Sequence, residues 1–150
     1  MRKRSPLGIA LLVALLALAM AAPAHAAARL RLYRGETSQG ERISFVVGRT
    51  DAGRFVKDVD TGATFTCEDQ TTLGIGFGIG FGRTSVPITD RAFSFDEILG
   101  GTAYHLAGEL GSLQGQGTLS VVVASLNEDE QAQLCTTGDL TWTVEFIRRL

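Results

Sequence analysis

Leu140-Thr141-Trp142-Thr143-Val144-Glu145-Phe146-Ile147 alternates apolar and polar residues without a break. In an extended chain successive side chains point to opposite faces. Leu140, Trp142, Val144 and Phe146 then share one face, and Thr141, Thr143 and Glu145 the other. A helix would scatter the same residues around its axis, so this stretch reads as a half-buried strand.

The same period runs outward through the chain. Ile43, Phe45 and Val47 share a face, as do Ala63, Phe65 and Cys67, then Phe93 and Phe95, then Tyr104, Leu106, Gly108 and Leu110. Leu119, Val121 and Val123 repeat it, and Arg29 to Arg34 alternates basic with apolar residues. Turn signals are expected at Asp51-Ala52-Gly53 and at Asp60-Thr61-Gly62. Ser85 to Thr89 holds Pro87, which suits an edge strand. One short helix is expected from Asn127 to Gln133, with Asn127 as cap and Glu128, Asp129 and Glu130 in its first turn. Short alternating strands at this spacing predict an all-β domain. A two-sheet antiparallel sandwich with jelly-roll-like connections is the expected architecture, and a closed β-barrel the alternative. A faint echo relates Ile43–Val47 with Thr61-Gly62 to Leu119–Val123 with Thr137-Gly138, at one constant offset.

The beginning of the sequence reads as an export signal. Arg2, Lys3 and Arg4 precede an apolar run from Leu7 to Ala22, followed by Ala24-His25-Ala26 with small residues where a signal peptidase reads. Residues 1–26 are taken as a signal peptide and 27–150 as a single β-domain. The run is short for a spanning helix of about 20 residues, and no later stretch is long and apolar enough to form one. An exported location, periplasmic or extracellular, is expected. Cys67 and Cys135 are the only cysteines, and an even count in an exported chain predicts a disulfide between them.

Composition narrows the function. Without Arg2, Lys3 and Arg4 the chain keeps eleven basic and sixteen acidic residues, a net charge of −5. The basic residues form no stripe interleaved with aromatics, so nucleic-acid binding has no support. His105 is the single histidine after the signal, and with two cysteines it lacks the spacing of a zinc site. It reads as a lone surface histidine, and no Gly-x-Ser-x-Gly elbow accompanies it. Acidic pairs at Asp58 and Asp60, Glu68 and Asp69, Asp96 and Glu97, and the run Glu128 to Glu130 read as solvated charges at strand ends; no calcium-loop pattern is present. No cofactor is expected.

Leu73-Gly74-Ile75-Gly76-Phe77-Gly78-Ile79-Gly80-Phe81-Gly82 is the most unusual stretch. As a strand it carries Ile75, Phe77, Ile79 and Phe81 on one face and bare backbone on the other. It is neither a phosphate loop nor a dinucleotide fingerprint, because no Lys-Ser/Thr and no βαβ context surround it. It reads as a strand covering the core, and as a candidate contact surface from Gly74 to Gly82.

Tyr33-Arg34-Gly35-Glu36-Thr37-Ser38-Gln39-Gly40, with Cys67 and the later Cys135-Thr136-Thr137-Gly138 and Trp142, resembles a group of small exported bacterial proteins without an assigned activity. The resemblance implies a β-rich secreted domain and carries over no catalytic residue. The Gly-rich run departs from that group. Three functions follow as expectations: a secreted or envelope-located non-enzymatic binding or structural domain; a carboxylate-dependent glycoside hydrolase or lyase; or a small β-barrel carrier of an apolar ligand.

Overall fold

The structure, a computed structural model, describes residues 29–81, 85–126 and 129–150. The expected signal peptide, Gly82, Asn127 and Glu128 lie outside the described residues. Ten strands follow in order: β1 (Arg29–Thr37), β2 (Arg42–Thr50), β3 (Gly53–Cys67), β4 (Thr72–Gly80), β5 (Val86–Ile88), β6 (Ala92–Leu99), β7 (Thr102–Leu110), β8 (Gln114–Leu126), β9 (Ala132–Thr136) and β10 (Leu140–Arg149). All pairings are antiparallel, and the all-β fold is the one expected from the alternation.

The hydrogen-bonded path runs β10-β1-β2-β3-β9-β8-β7-β6, and β10 also pairs with β8. The path therefore returns on itself through six strands. β4 and β5 extend it beyond β3, while β7 and β6 extend it beyond β8. These two wings face one another across the core. Phe45 on β2 meets Phe93 on β6 edge-on at 6.0 Å, Phe77 on β4 meets Tyr104 on β7 at 6.0 Å, and Phe81 meets Phe95 at 4.7 Å.

Two long strands carry this architecture. β3 bonds β2 and then β9 along one edge, and β4 and β5 along the other. Pairing on both sides explains why the turn expected at Asp60-Thr61-Gly62 is absent and β3 runs straight through. Thr61 lies opposite both Ile43 and Phe77, so ladder bonds outweigh the local turn preference. The helix expected from Asn127 to Gln133 is likewise corrected. Asp129 and Glu130 lie in a turn and a bend, and Ala132 and Gln133 begin β9, paired with Leu126 and Ser125 of β8. β1 departs from simple alternation at a register shift between Leu32 and Tyr33, which buries both.

Trp142 is 1% exposed and organises the core. Its cross-strand row is Trp142, Gly117, Gly108 and Phe93. A Cβ on either glycine would collide with the indole and with a backbone carbonyl, that of Gln116 or Ala107. The ring thus lies flat over two bare backbones to reach Phe93, with centroids 6.1 Å apart, and packs on Phe45 at 4.7 Å. Its Nε1 donates to the Thr118 carbonyl at 3.1 Å, which satisfies its polar edge.

The Gly-rich run is β4. Ile79 and Phe81 are buried and Leu73 and Phe77 partly so, as the alternation requires. The glycine face differs from those of β7 and β8: a Cβ on Gly74 or Gly76 would meet nothing within 4 Å. The two glycine sets thus serve opposite ends, one making room for Trp142 and the other facing open space.

The turn after β1 is stitched by side chains. Gln39 bonds the Thr64 backbone twice, donating to its carbonyl at 2.9 Å and accepting from its N–H at 2.8 Å. Ser38 Oγ accepts from Thr141 N at 3.2 Å, and Gly40 takes φ 78°, a left-handed value open to glycine. Thr61 and Thr137, the residues of the sequence echo, are both buried, and each hydroxyl donates to the carbonyl of the glycine that follows it.

Cys67 and Cys135 are disulfide-bonded and sit directly opposite each other where β3 meets β9. That seam holds only Thr66 opposite Thr136 and Cys67 opposite Cys135. Asp69 and Gln133 lengthen it: Gln133 accepts from Asp69 N at 3.3 Å and donates to the Asp69 carboxylate at 3.1 Å. Thr71 also donates to Asp69 through hydroxyl and backbone, which holds the Asp69 carboxyl below its ordinary range.

Replacing both cysteines by serine should cost about 4 kcal/mol, the chain-entropy value for this loop, read as a fall in the urea midpoint. Gly108→Ala should destabilise and red-shift Trp142 fluorescence, whereas Gly76→Ala should leave both stability and spectrum near the parent. Equal effects from the two alanines would show that Trp142 does not rest on Gly108.

Candidate polar groove

Outward-facing positions of five adjacent strands come together in one groove of about 690 Å³. Register builds it as two rows. The longer row runs Arg42, Glu36, Thr143, Gln116, Glu109 across β2, β1, β10, β8 and β7. The shorter runs Arg34, Glu145, Gln114. Arg91, in the turn before β6, adds a third guanidinium to the lining, and Gly35, Gly115 and Val144 contribute to the floor. A Cβ on Gly35 would overlap the Thr143 carbonyl, so the bare backbone there lets β1 and β10 approach closely.

The groove carries three arginines and three glutamates, yet no two of the six form an ion pair. Among the described residues the ion pairs are Lys57 with Asp58, at 3.9 Å, and Asp96 with His105. Five charged side chains on paired strands, and Arg91 from the turn before β6, therefore share one groove and are left to solvent. Glu36 and Glu109 are three strands apart, about 14 Å at 4.8 Å per strand, too far for a hydrolytic carboxylate pair. Glu36 and Glu145 are diagonal neighbours, about 7–8 Å at the backbone. Both are exposed, and no aromatic ring lines the groove.

A second, shallower cleft of about 610 Å³ lies on the outer face of β6, β7 and β8. Here the structure changes the reading of His105. It is on the surface as expected, but it is not alone: Nδ1 bonds Asp96 Oδ1, and Ser94 Oγ donates to Asp96 Oδ2 at 3.1 Å. Ser120 lies opposite His105 on the other side, giving the cross-strand order Asp96, His105, Ser120. This order carries the residue types of a nucleophilic triad without its surroundings. The backbone N–H following Ser120, the usual oxyanion donor, belongs to Val121 and donates at 2.9 Å to the buried Thr137 hydroxyl. Sequence missed the Asp96–His105 contact because the two are nine residues apart and meet only through the β6–β7 hairpin register.

The other acidic residues stay at separate places. Asp58 pairs weakly with Lys57, Glu68 accepts from Leu134 N at 3.2 Å, and Asp69 belongs to the disulfide seam. No group of three or more His, Cys, Asp or Glu side chains among the described residues is placed to hold a metal. No helix among them is long and apolar enough to cross a membrane.

The His105 hydrogen bond, aided by Ser94, holds the Asp96 carboxyl below the ordinary carboxylate range. A lowered folded value means the contact stabilises the fold above that range and is lost as pH falls through it. His105→Ala should therefore raise the Asp96 titration midpoint, followed by carboxyl ¹³C NMR. An unchanged midpoint would show that the two side chains do not meet in solution.

Neither a protein family, nor a curated protein, nor a solved structure is found to match this chain.

Proposed function

We propose that this chain is an exported, non-enzymatic binding domain whose ligand lies along the two polar rows of the groove. One observation carries the reading: five charged side chains on one face of paired strands, with Arg91 from the adjoining turn, line one groove and leave each other unpaired. Paired strands fix the backbone from which these side chains project, so the spacing of the charges is set before a ligand arrives. Guanidinium groups at Arg34, Arg42 and Arg91 suit carboxylate or sulfate. Carboxylates and amides at Glu36, Glu109, Gln114 and Gln116 suit hydroxyls. The matching ligand is a polyhydroxylated chain bearing acidic groups, an acidic oligosaccharide.

Export is supported by the signal-like start of the sequence and by the disulfide, which persists in oxidising compartments. The residues on which the resemblance to small exported proteins rests serve the turn after β1, the disulfide and the Trp142 core, and none of that role depends on the groove's charges. The hydrolase reading draws on Glu36 and Glu145 as diagonal neighbours, but their exposure and the lack of an aromatic platform favour binding. The carrier reading needs Phe77, Ile79 and Phe81 to line a void; instead Phe77 packs on Phe65 and Tyr104, and Phe81 on Phe95.

Titration of ¹⁵N-labelled protein with oligogalacturonate should shift amides of β1, β8 and β10, and neutral dextran oligosaccharides should shift them less. Arg34→Ala and Arg91→Ala should each weaken binding about tenfold, the scale of one charge-assisted hydrogen bond. Shifts confined to the cleft around His105, or release of reducing ends, would overturn the reading.

A further inference from the structure

We infer that β4 pairs edge to edge with β4 of a second copy of this chain, through a two-fold axis at Phe77. Among the described residues β4 bonds β3 and no other strand, and its second edge is open. The other open edges carry features that discourage pairing: β5 has three residues and a proline, and β6 holds Asp96 and Glu97. β4 has nine residues, no charge, no proline and an unbroken register from Thr72 opposite Thr66 to Gly80 opposite Asp58.

The open edge is made of glycine backbone. Phe81 N donates to the Lys57 carbonyl and Cys67 N to the Thr71 carbonyl. Backbone direction alternates along an antiparallel strand. Phe81, Ile79, Phe77, Ile75 and Leu73 therefore spend their amides and carbonyls on β3. Those of Gly74, Gly76, Gly78 and Gly80 point away from the protein.

The sequence fits its own copy. Read in either direction from Phe77, the order is glycine, isoleucine, glycine, then a large apolar residue, Leu73 or Phe81. An antiparallel two-fold there sets Phe77 beside the partner's Phe77, Ile75 beside the partner's Ile79, and Gly76 beside the partner's Gly78. Each glycine pair exchanges two hydrogen bonds. Directly opposed residues point to the same face, so the apolar side chains of both copies extend one inner surface. Ile75, 37% exposed, and the half-buried Leu73 and Phe77 gain cover. No charge is brought against its like, as a closed two-fold contact requires.

The contact is small. About 30 Å of edge, one strand deep, removes roughly 300–500 Å² per partner, below the ~800 Å² of a standard interface. A contact of this size is in the range of weak, reversible association.

Sedimentation equilibrium of the exported protein should show monomer and dimer exchanging with concentration. Side chains at Gly76 and Gly78 enter open space in the monomer, the nearest atom being the Val59 carbonyl oxygen, 3.8 Å from a Cβ on Gly78. Gly76→Lys with Gly78→Lys sets like charges opposite each other across the axis and should raise Kd roughly tenfold. Gly76→Lys with Gly78→Glu sets opposite charges there and should restore the parent Kd. Circular dichroism spectra of both double variants should match that of the parent. A parent that stays monomeric up to millimolar concentration overturns the inference and leaves the edge to a foreign strand. Equal dimerisation by both double variants overturns it by placing the contact elsewhere.

Discussion

The indole of Trp142, laid across the bare backbones of Gly117 and Gly108, is the contact on which the rest of the fold depends. Glycine in a strand forfeits side-chain packing and costs conformational entropy. Here that loss is offset, because the missing side chains let one large ring cross two strands. The ring then touches Phe93 on β6, in one wing, and Phe45 on β2, in the closed ring of strands. Strands β10, β8, β7, β6 and β2 are thereby fixed to one side chain. The closing pair β10–β8 forms where the ring sits, so the register that returns the sheet on itself and the packing of its core are set by the same residue.

Much of this architecture is legible in the sequence. Period-two alternation identifies the inward faces of β2, β8 and β10, because one face is buried and a slip of one residue would invert it. The two misreadings share a cause. Asp60-Thr61-Gly62 and the segment from Asn127 to Gln133 both carry local signals, one for a turn and one for a capped helix. Each is overridden by strand pairing: Ile43 and Phe77 lie opposite Thr61, and Gln133 pairs with Ser125 in the β8–β9 hairpin while its side chain reaches Asp69, 64 residues away. Likewise Gly108 and Gly117 read locally as weak points. Only the cross-strand row that includes Trp142 turns them into a seat.

The groove is hidden from sequence for the same reason. Its two rows draw on five strands, and Glu36 and Gln116 fall in one row although 80 residues separate them. The outward positions of any single strand are ordinary polar residues. They become a site only when the closed path aligns β2, β1, β10, β8 and β7 side by side. The ring closure that buries Trp142 on the inside thus assembles the charged rows on the outside.

The position of the disulfide bears on the order in which the fold can be completed. β1 to β4 form consecutive hairpins, whose short-range contacts close quickly. In a chain synthesised from its N-terminus, these hairpins are available while Cys135 is still to come, 68 residues after Cys67. Cys67 then waits as a free thiol at the end of β3, beside an unfilled place for β9. An oxidant that acts early would trap the wrong partner, since any thiol nearby would belong to another molecule. A pathway that leaves the cysteine reduced until β9 docks gives the native bond by proximity alone. The native pairing of Cys67 thus depends on oxidation that follows the docking of β9 rather than precedes it.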